Sequence, residues 1–153
     1  MTAREEWLAA LPPLAVAAAM AAGGIGGALT WVFAPVALAS GLWLYARAPS
    51  RGFIAFCYML WMVAPFVRRL ADWQGGRHDL SPIMLAPALV TGLGLFSALR
   101  AGPQLLGRGF LPFGVAAIVC LYGGLLGLSQ GRGAAALFGL LNACAPIALA
   151  IHI

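Results

Sequence analysis

The chain has 153 residues, 63% of them hydrophobic and only 8% charged, with a formal net charge of +5 and a mean hydropathy of +0.95. A soluble domain is roughly half apolar and a quarter charged, so this composition excludes an ordinary soluble fold and points to a polytopic membrane protein. Bilayer hydrocarbon is the solvent that tolerates such an excess.

The apolar runs are unbroken rather than alternating, which favours a helical bundle over a transmembrane barrel. The 20 glycines and 10 prolines suit packed membrane helices. The expected fold class is all-α, a single integral-membrane domain over residues 1–153 with about six spans. All nine basic residues are arginine. They are dispersed between apolar runs, as membrane-flank charges are, and do not form a nucleic-acid patch. Cys57, Cys120 and Cys144 lie far apart inside apolar segments, without CxxC or Cys/His spacing. They read as small buried hydrophobes, and neither a metal site nor a cofactor is expected.

Residues 1–7 are a short polar start in which Arg4 is outweighed by Glu5 and Glu6. The apolar run that follows is too long for a signal core, so the expectation is an uncleaved first span with Trp7 as an interfacial anchor. Residues 8–45 carry no charge. A bilayer needs about 20 residues per helix, so two spans, 8–23 and 28–45, fit here with a tight turn at Gly23-Gly24-Ile25-Gly26-Gly27. The competing possibility is that Gly23 and Gly27 form a helix-packing face. A basic stretch, Arg47-Ala48-Pro49-Ser50-Arg51-Gly52, separates these from a third span over 53–69, which carries Tyr58, Trp61 and Pro65.

Beyond the polar centre of the chain, the fourth span is expected over 83–99 and the fifth over 110–128, where Gly123 and Gly127 suggest close backbone approach. A tight turn at Ser129-Gln130-Gly131-Arg132-Gly133 leads to a sixth span over 134–153. Six spans put Arg4, Arg47, Arg51, Arg100 and Arg108 on one side, and Arg68, Arg69, Arg77 and Arg132 on the other. The larger count places the N-terminus in the cytoplasm. If the arginines of the central segment are reserved for a ligand, that segment faces the opposite compartment.

The central segment, residues 65–82, holds the groups from which polar chemistry can be built. If the third helix continues past Pro65, Arg68 and Asp72 stand at i, i+4, and Arg69 and Asp72 at i, i+3. Asp72 then holds one guanidinium while the other, a forked cation, faces an anion at the membrane surface. Pro65 is expected to kink the helix, Gly75-Gly76 to turn the chain, and Ser81-Pro82 to start the next helix with Ser81 as its cap. The plainer alternative makes Arg68 and Arg69 interfacial anchors, with Asp72 a solvated partner and Trp73 a belt residue. Arg77 and His78 are weaker candidates, since a histidine between Arg77 and Asp79 reads first as solvated. His152 has no partner in sequence.

Two stretches, Trp61-Met62-Val63-Ala64-Pro65-Phe66-Val67-Arg68-Arg69-Leu70-Ala71-Asp72-Trp73 and Ser81-Pro82-Ile83-Met84-Leu85-Ala86-Pro87, resemble the amino-terminal half of bacterial O-antigen polymerase/ligase-like proteins. The stretch Leu140-Leu141-Asn142-Ala143-Cys144-Ala145-Pro146 is similar to a later helix of that group. The resemblance implies a multi-pass protein of the bacterial inner membrane that handles a glycan on undecaprenyl pyrophosphate at the periplasmic face, without nucleotide sugar or metal. It further implies that Arg68 and Arg69, with Asp72 as orienter, engage the lipid pyrophosphate. Such enzymes have more spans and a large periplasmic loop with a catalytic histidine, to which His78 is not a clear match. The chain is therefore expected to be part of a larger polytopic protein or a reduced relative, its partners being the bilayer, the lipid-linked glycan and other membrane helices. Two other classes fit the composition: a non-catalytic assembly or scaffold protein, and, less well, a small transporter. A transporter usually carries ionisable groups within its spans, and the spans over 8–45 and 83–99 carry none.

Overall fold

A computed structural model describes residues 3–47, 51–76, 81–94, 96, 111–131 and 133–152. Among these residues the structure is all-helical. In chain order the helices are α1 (Ala3–Ala22), α2 (Gly26–Arg47), α3 (Arg51–Gly75), α4 (Leu85–Gly92), α5 (Leu111–Ser129) and α6 (Gly133–His152), with a 3-10 turn over Pro82–Met84. Two of them, α2 and α3, are long and apolar enough to cross a membrane. The apolar stretches of the others are shorter: Leu11–Ala22, Pro82–Gly92, Gly114–Ser129 and Gly133–Ile147.

The chain divides into two compact units, Met1–Val90 and Thr91–Ile153. In the first, α1, α2 and α3 pack against one another, and the 3-10 turn lies against α2 and α3. Its core is two helical stripes. Leu29, Phe33, Ala37 and Leu44 come from α2, and Phe53, Phe56, Cys57, Leu60, Ala64, Val67 and Ala71 from α3. Their three- and four-residue spacing puts each set on one face of its helix. The opposite faces are apolar too: Trp31, Tyr58, Met62 and Phe66 are each at least 60% exposed. In the second unit, α5 and α6 form an antiparallel hairpin closed by the turn at Gln130 and Gly131.

The five-residue glycine cluster does not act as one turn. Gly24 takes the left-handed conformation (φ 70), the Gly24 N–H donates to the Ala21 carbonyl, and the Ile25 N–H donates to that of Met20. This is a Schellman closure of α1. Gly26 and Gly27 already belong to α2, whose first turn starts on the Ile25 carbonyl. The reason is tertiary: these two glycines lie against the end of α3.

Two other boundaries differ from expectation. The third helix runs on to Gly75, past the expected end at 69, and stops where Gly76 adopts φ 87. Ser81 does not cap the following helix. Its hydroxyl is buried without a partner among the described residues, and Pro82 opens a 3-10 turn instead.

Candidate functional site

α3 continues through Pro65 without a break, so the spacing of its polar end is helical and the expected pairing is realised. The Arg68 Nε lies 3.5 Å from the Asp72 Oδ2, with both side chains about a quarter to a third exposed (31% and 25%). This is a single-point ion pair and not a two-pronged clamp. Asp72 is thus committed to Arg68 rather than Arg69, and Arg69 is exposed. Trp73, one turn on from Arg69, is 81% exposed.

The end of α3 therefore has three faces. Val67 and Ala71 are buried, and Gln74 on the same side is half-buried. The next face carries Arg68 and Asp72. The outermost carries Arg69 and Trp73, spaced at i, i+4 as an interfacial cation and aromatic would be. An ion pair this exposed contributes only about 0.2–1 kcal/mol. Its effect is to restrict where the Arg68 guanidinium can go, not to hold the helix in place.

What holds the helix end was not read from the sequence. The Gln74 Nε2 donates to the Ala21 carbonyl at 2.8 Å, tying α3 to the last turn of α1. Its Oε1 is buried and has no partner among the described residues. At the same level Gly75 meets the backbone of Gly27, and Gly26 meets Gln74 and the Ala71 carbonyl, so closely that a Cβ on either glycine would overlap its neighbour. The available signal was the pair of glycine doublets, Gly26-Gly27 and Gly75-Gly76, at helix ends that a three-helix up-down-up arrangement brings to one side.

Arg77 and His78 lie outside the described residues. Of the stretches that carry the family resemblance, the first lies wholly on α3, the second covers the 3-10 turn and the start of α4, and the third lies on α6.

The far end of the first unit has a different character. The Arg47 guanidinium sits 5.1 Å over the Trp43 ring, and Tyr45 meets Phe53 edge-on with ring centroids 5.5 Å apart. Beside them an apolar groove of about 370 Å³ is lined by Leu8, Pro12, Ala39, Ser40 and Trp43. Among the described residues, none of the lining side chains ionises. Among the described residues no three His, Cys, Asp or Glu side chains gather as metal ligands would. No protein-family model, curated protein sequence or solved structure matches the chain.

Proposed function

We propose that this is a multi-pass membrane protein that holds the phosphate of a lipid-linked substrate at the arginine-bearing end of α3. In its specific form the substrate is a glycan on undecaprenyl pyrophosphate, handled at the periplasmic face of a bacterial inner membrane during surface-polysaccharide assembly. The observation that carries the reading is Arg68, steadied by Asp72, beside the exposed Arg69 at the end of a long apolar helix. Two guanidiniums a residue apart suit a diphosphate, whose oxygens accept paired N–H bonds. Trp73 beside them has the amphipathic ring that favours headgroup depth.

The membrane setting is supported by how little of each long helix is hidden. The most apolar windows of α2 and α3 are 44% and 33% buried within the chain. The core helix of a soluble protein would be mostly covered, whereas these present large apolar side chains outward. We add α1, the 83–99 segment, α5 and α6 to the two long helices to reach six spans, and take the N-terminus as cytoplasmic and the α3 end as periplasmic from the arginine count.

The test is the double substitution Arg68→Ala, Arg69→Ala in cells that make the polysaccharide, with membrane insertion checked in parallel. Chain assembly is expected to be lost while insertion is retained, because the pair contributes less than about 1 kcal/mol to the fold. Unchanged polysaccharide refutes the site. Labelling of a cysteine placed at position 74 or 76 only from the cytosol refutes the sidedness.

A second reading, a non-catalytic assembly subunit, is favoured by Gly123 and Gly139. Both are exposed on the hairpin, and a Cβ on either would meet nothing within 4 Å among the described residues. Open glycines on a membrane helix allow a partner helix to approach closely. Co-purification of a stoichiometric partner, lost on Gly123→Leu, together with normal polysaccharide in the arginine double variant, selects this reading.

A further inference from the structure

The α5–α6 hairpin has a defined register. A Cβ on Gly127 would lie 2.7 Å from the Ala136 Cβ, and one on Gly124 would lie 3.2 Å from the Leu140 Cδ1. One further turn along both helices, away from the connecting turn, brings Cys120 opposite Cys144. On that register the two side chains face one another across the hairpin, near enough for each to act on the other. Both are half-buried and neither is in a disulfide. The third cysteine, Cys57, is fully buried in α3 of the other unit.

A single cysteine in such a helix is ordinarily a small hydrophobe. Two that face each other across a closely packed pair of helices are different, because a disulfide needs Cα atoms within about 4.4–6.8 Å. The two glycine rungs are what bring the backbones near. The surroundings restrict the chemistry further. Val119, Leu121 and Tyr122 are exposed around Cys120, and no charged residue occurs between 109 and 131. On the membrane reading proposed above, this hairpin lies in hydrocarbon, where an apolar reagent reaches the sulfurs more readily than a water-borne one.

We propose that Cys120 and Cys144 form a redox-active dithiol, closed to a disulfide across the hairpin by an apolar two-electron oxidant of the quinone class. Two S–H bonds break and one S–S bond forms. The two electrons and two protons pass to the quinone, which leaves as the quinol. Closure fixes the register of α5 against α6 covalently, and reduction by a dithiol releases it.

The experiment counts thiols in the full-length protein in its own membranes. Membranes are treated with a short-chain quinone, denatured in excess maleimide, and the intact mass is measured. Untreated protein carries three maleimides, one for each cysteine. After quinone the expected product carries one, on Cys57, and a dithiol reductant restores three. The Cys57→Ser variant is expected to fall from two to none, whereas Cys120→Ser and Cys144→Ser hold two under both conditions. Retention of all three maleimides after quinone and after copper–phenanthroline overturns the pairing. Closure by copper–phenanthroline alone overturns the assignment to a quinone-class oxidant.

Discussion

Replacing Gly75 by alanine tests whether backbone contact fixes the end of α3. The added Cβ would stand 2.8 Å from the Gly27 nitrogen and 2.9 Å from the Gly27 Cα, against an ordinary contact range of 3.4–4 Å. Both obstructing atoms are backbone, so no side chain can swing aside and one helix must move. Overpacking of this kind costs about 1–3 kcal/mol, while alanine recovers up to about 1 kcal/mol of helix propensity over glycine. With the full propensity gain subtracted, the net is a loss of about 0–2 kcal/mol. Gly27→Ala is the control at the same contact, because a Cβ there meets nothing within 4 Å and only the propensity gain applies. The two variants are therefore expected to differ by about 2 kcal/mol, roughly 30-fold in the folded-to-unfolded ratio. Titration of the purified protein in mixed micelles with a denaturing detergent, followed by helical circular dichroism, measures this difference. Gly75→Ala equal to Gly27→Ala, or more stable than it, refutes the contact.

Three further substitutions probe the first unit by the same titration. Gly41→Ala places a Cβ 2.6 Å from the Val90 Cγ1 and is expected to cost about 1–3 kcal/mol. Val90→Ala in that background is expected to return part of the loss, with a coupling of about 0.5–3 kcal/mol, and strict additivity of the two refutes the contact. Gln74→Leu removes the bond to the Ala21 carbonyl, which keeps the Gly24 N–H, and removes the unpartnered Oε1 with it, so a net loss of no more than about 1 kcal/mol is expected. A variant clearly more stable than the parent shows that the bond does not tie α3 to α1.

The helices were legible as long apolar runs, and the Arg68–Asp72 pair because i, i+4 spacing is a property of one helix. What escaped depends on residues distant in sequence. The expected end of the third helix at 69 treats the polar run after Phe66 as the start of a loop. In the structure that run stays helical, because Val67 and Ala71 are buried and Gln74 finds an acceptor 53 positions away. Five clustered glycines look like one flexible turn to a local reading, yet only Gly24 needs the left-handed conformation. Gly26 is glycine because Gln74 leaves no room for a Cβ. In the second unit Gly127 of the expected pair faces α6 together with Gly124, whereas Gly123 does not. Spacing alone cannot say which side of α5 faces α6, and the contacts with Leu140 and Ala136 decide it. Ser81 had the right chemistry for a cap, but Pro82 directs the chain into a 3-10 turn that leaves its hydroxyl unused.

These differences bear on how the arginine site works. Held by the Arg68–Asp72 pair alone, the end of α3 would drift, since a part-exposed ion pair is comparable to thermal energy. The positional restraint comes from the inner face, where Gln74 is bonded to α1 and Gly75 lies on the backbone of α2. Arg69 and Trp73 project from the opposite side of the same turns, so their placement is inherited from contacts they do not make. An arrangement of this kind separates two losses. Substituting the arginines removes charge and spares the fold, whereas enlarging Gly75 leaves every charge present and displaces the platform that carries them. If the phosphate reading is right, both routes weaken polysaccharide assembly. The second does so in proportion to its cost in stability, and the first at almost none.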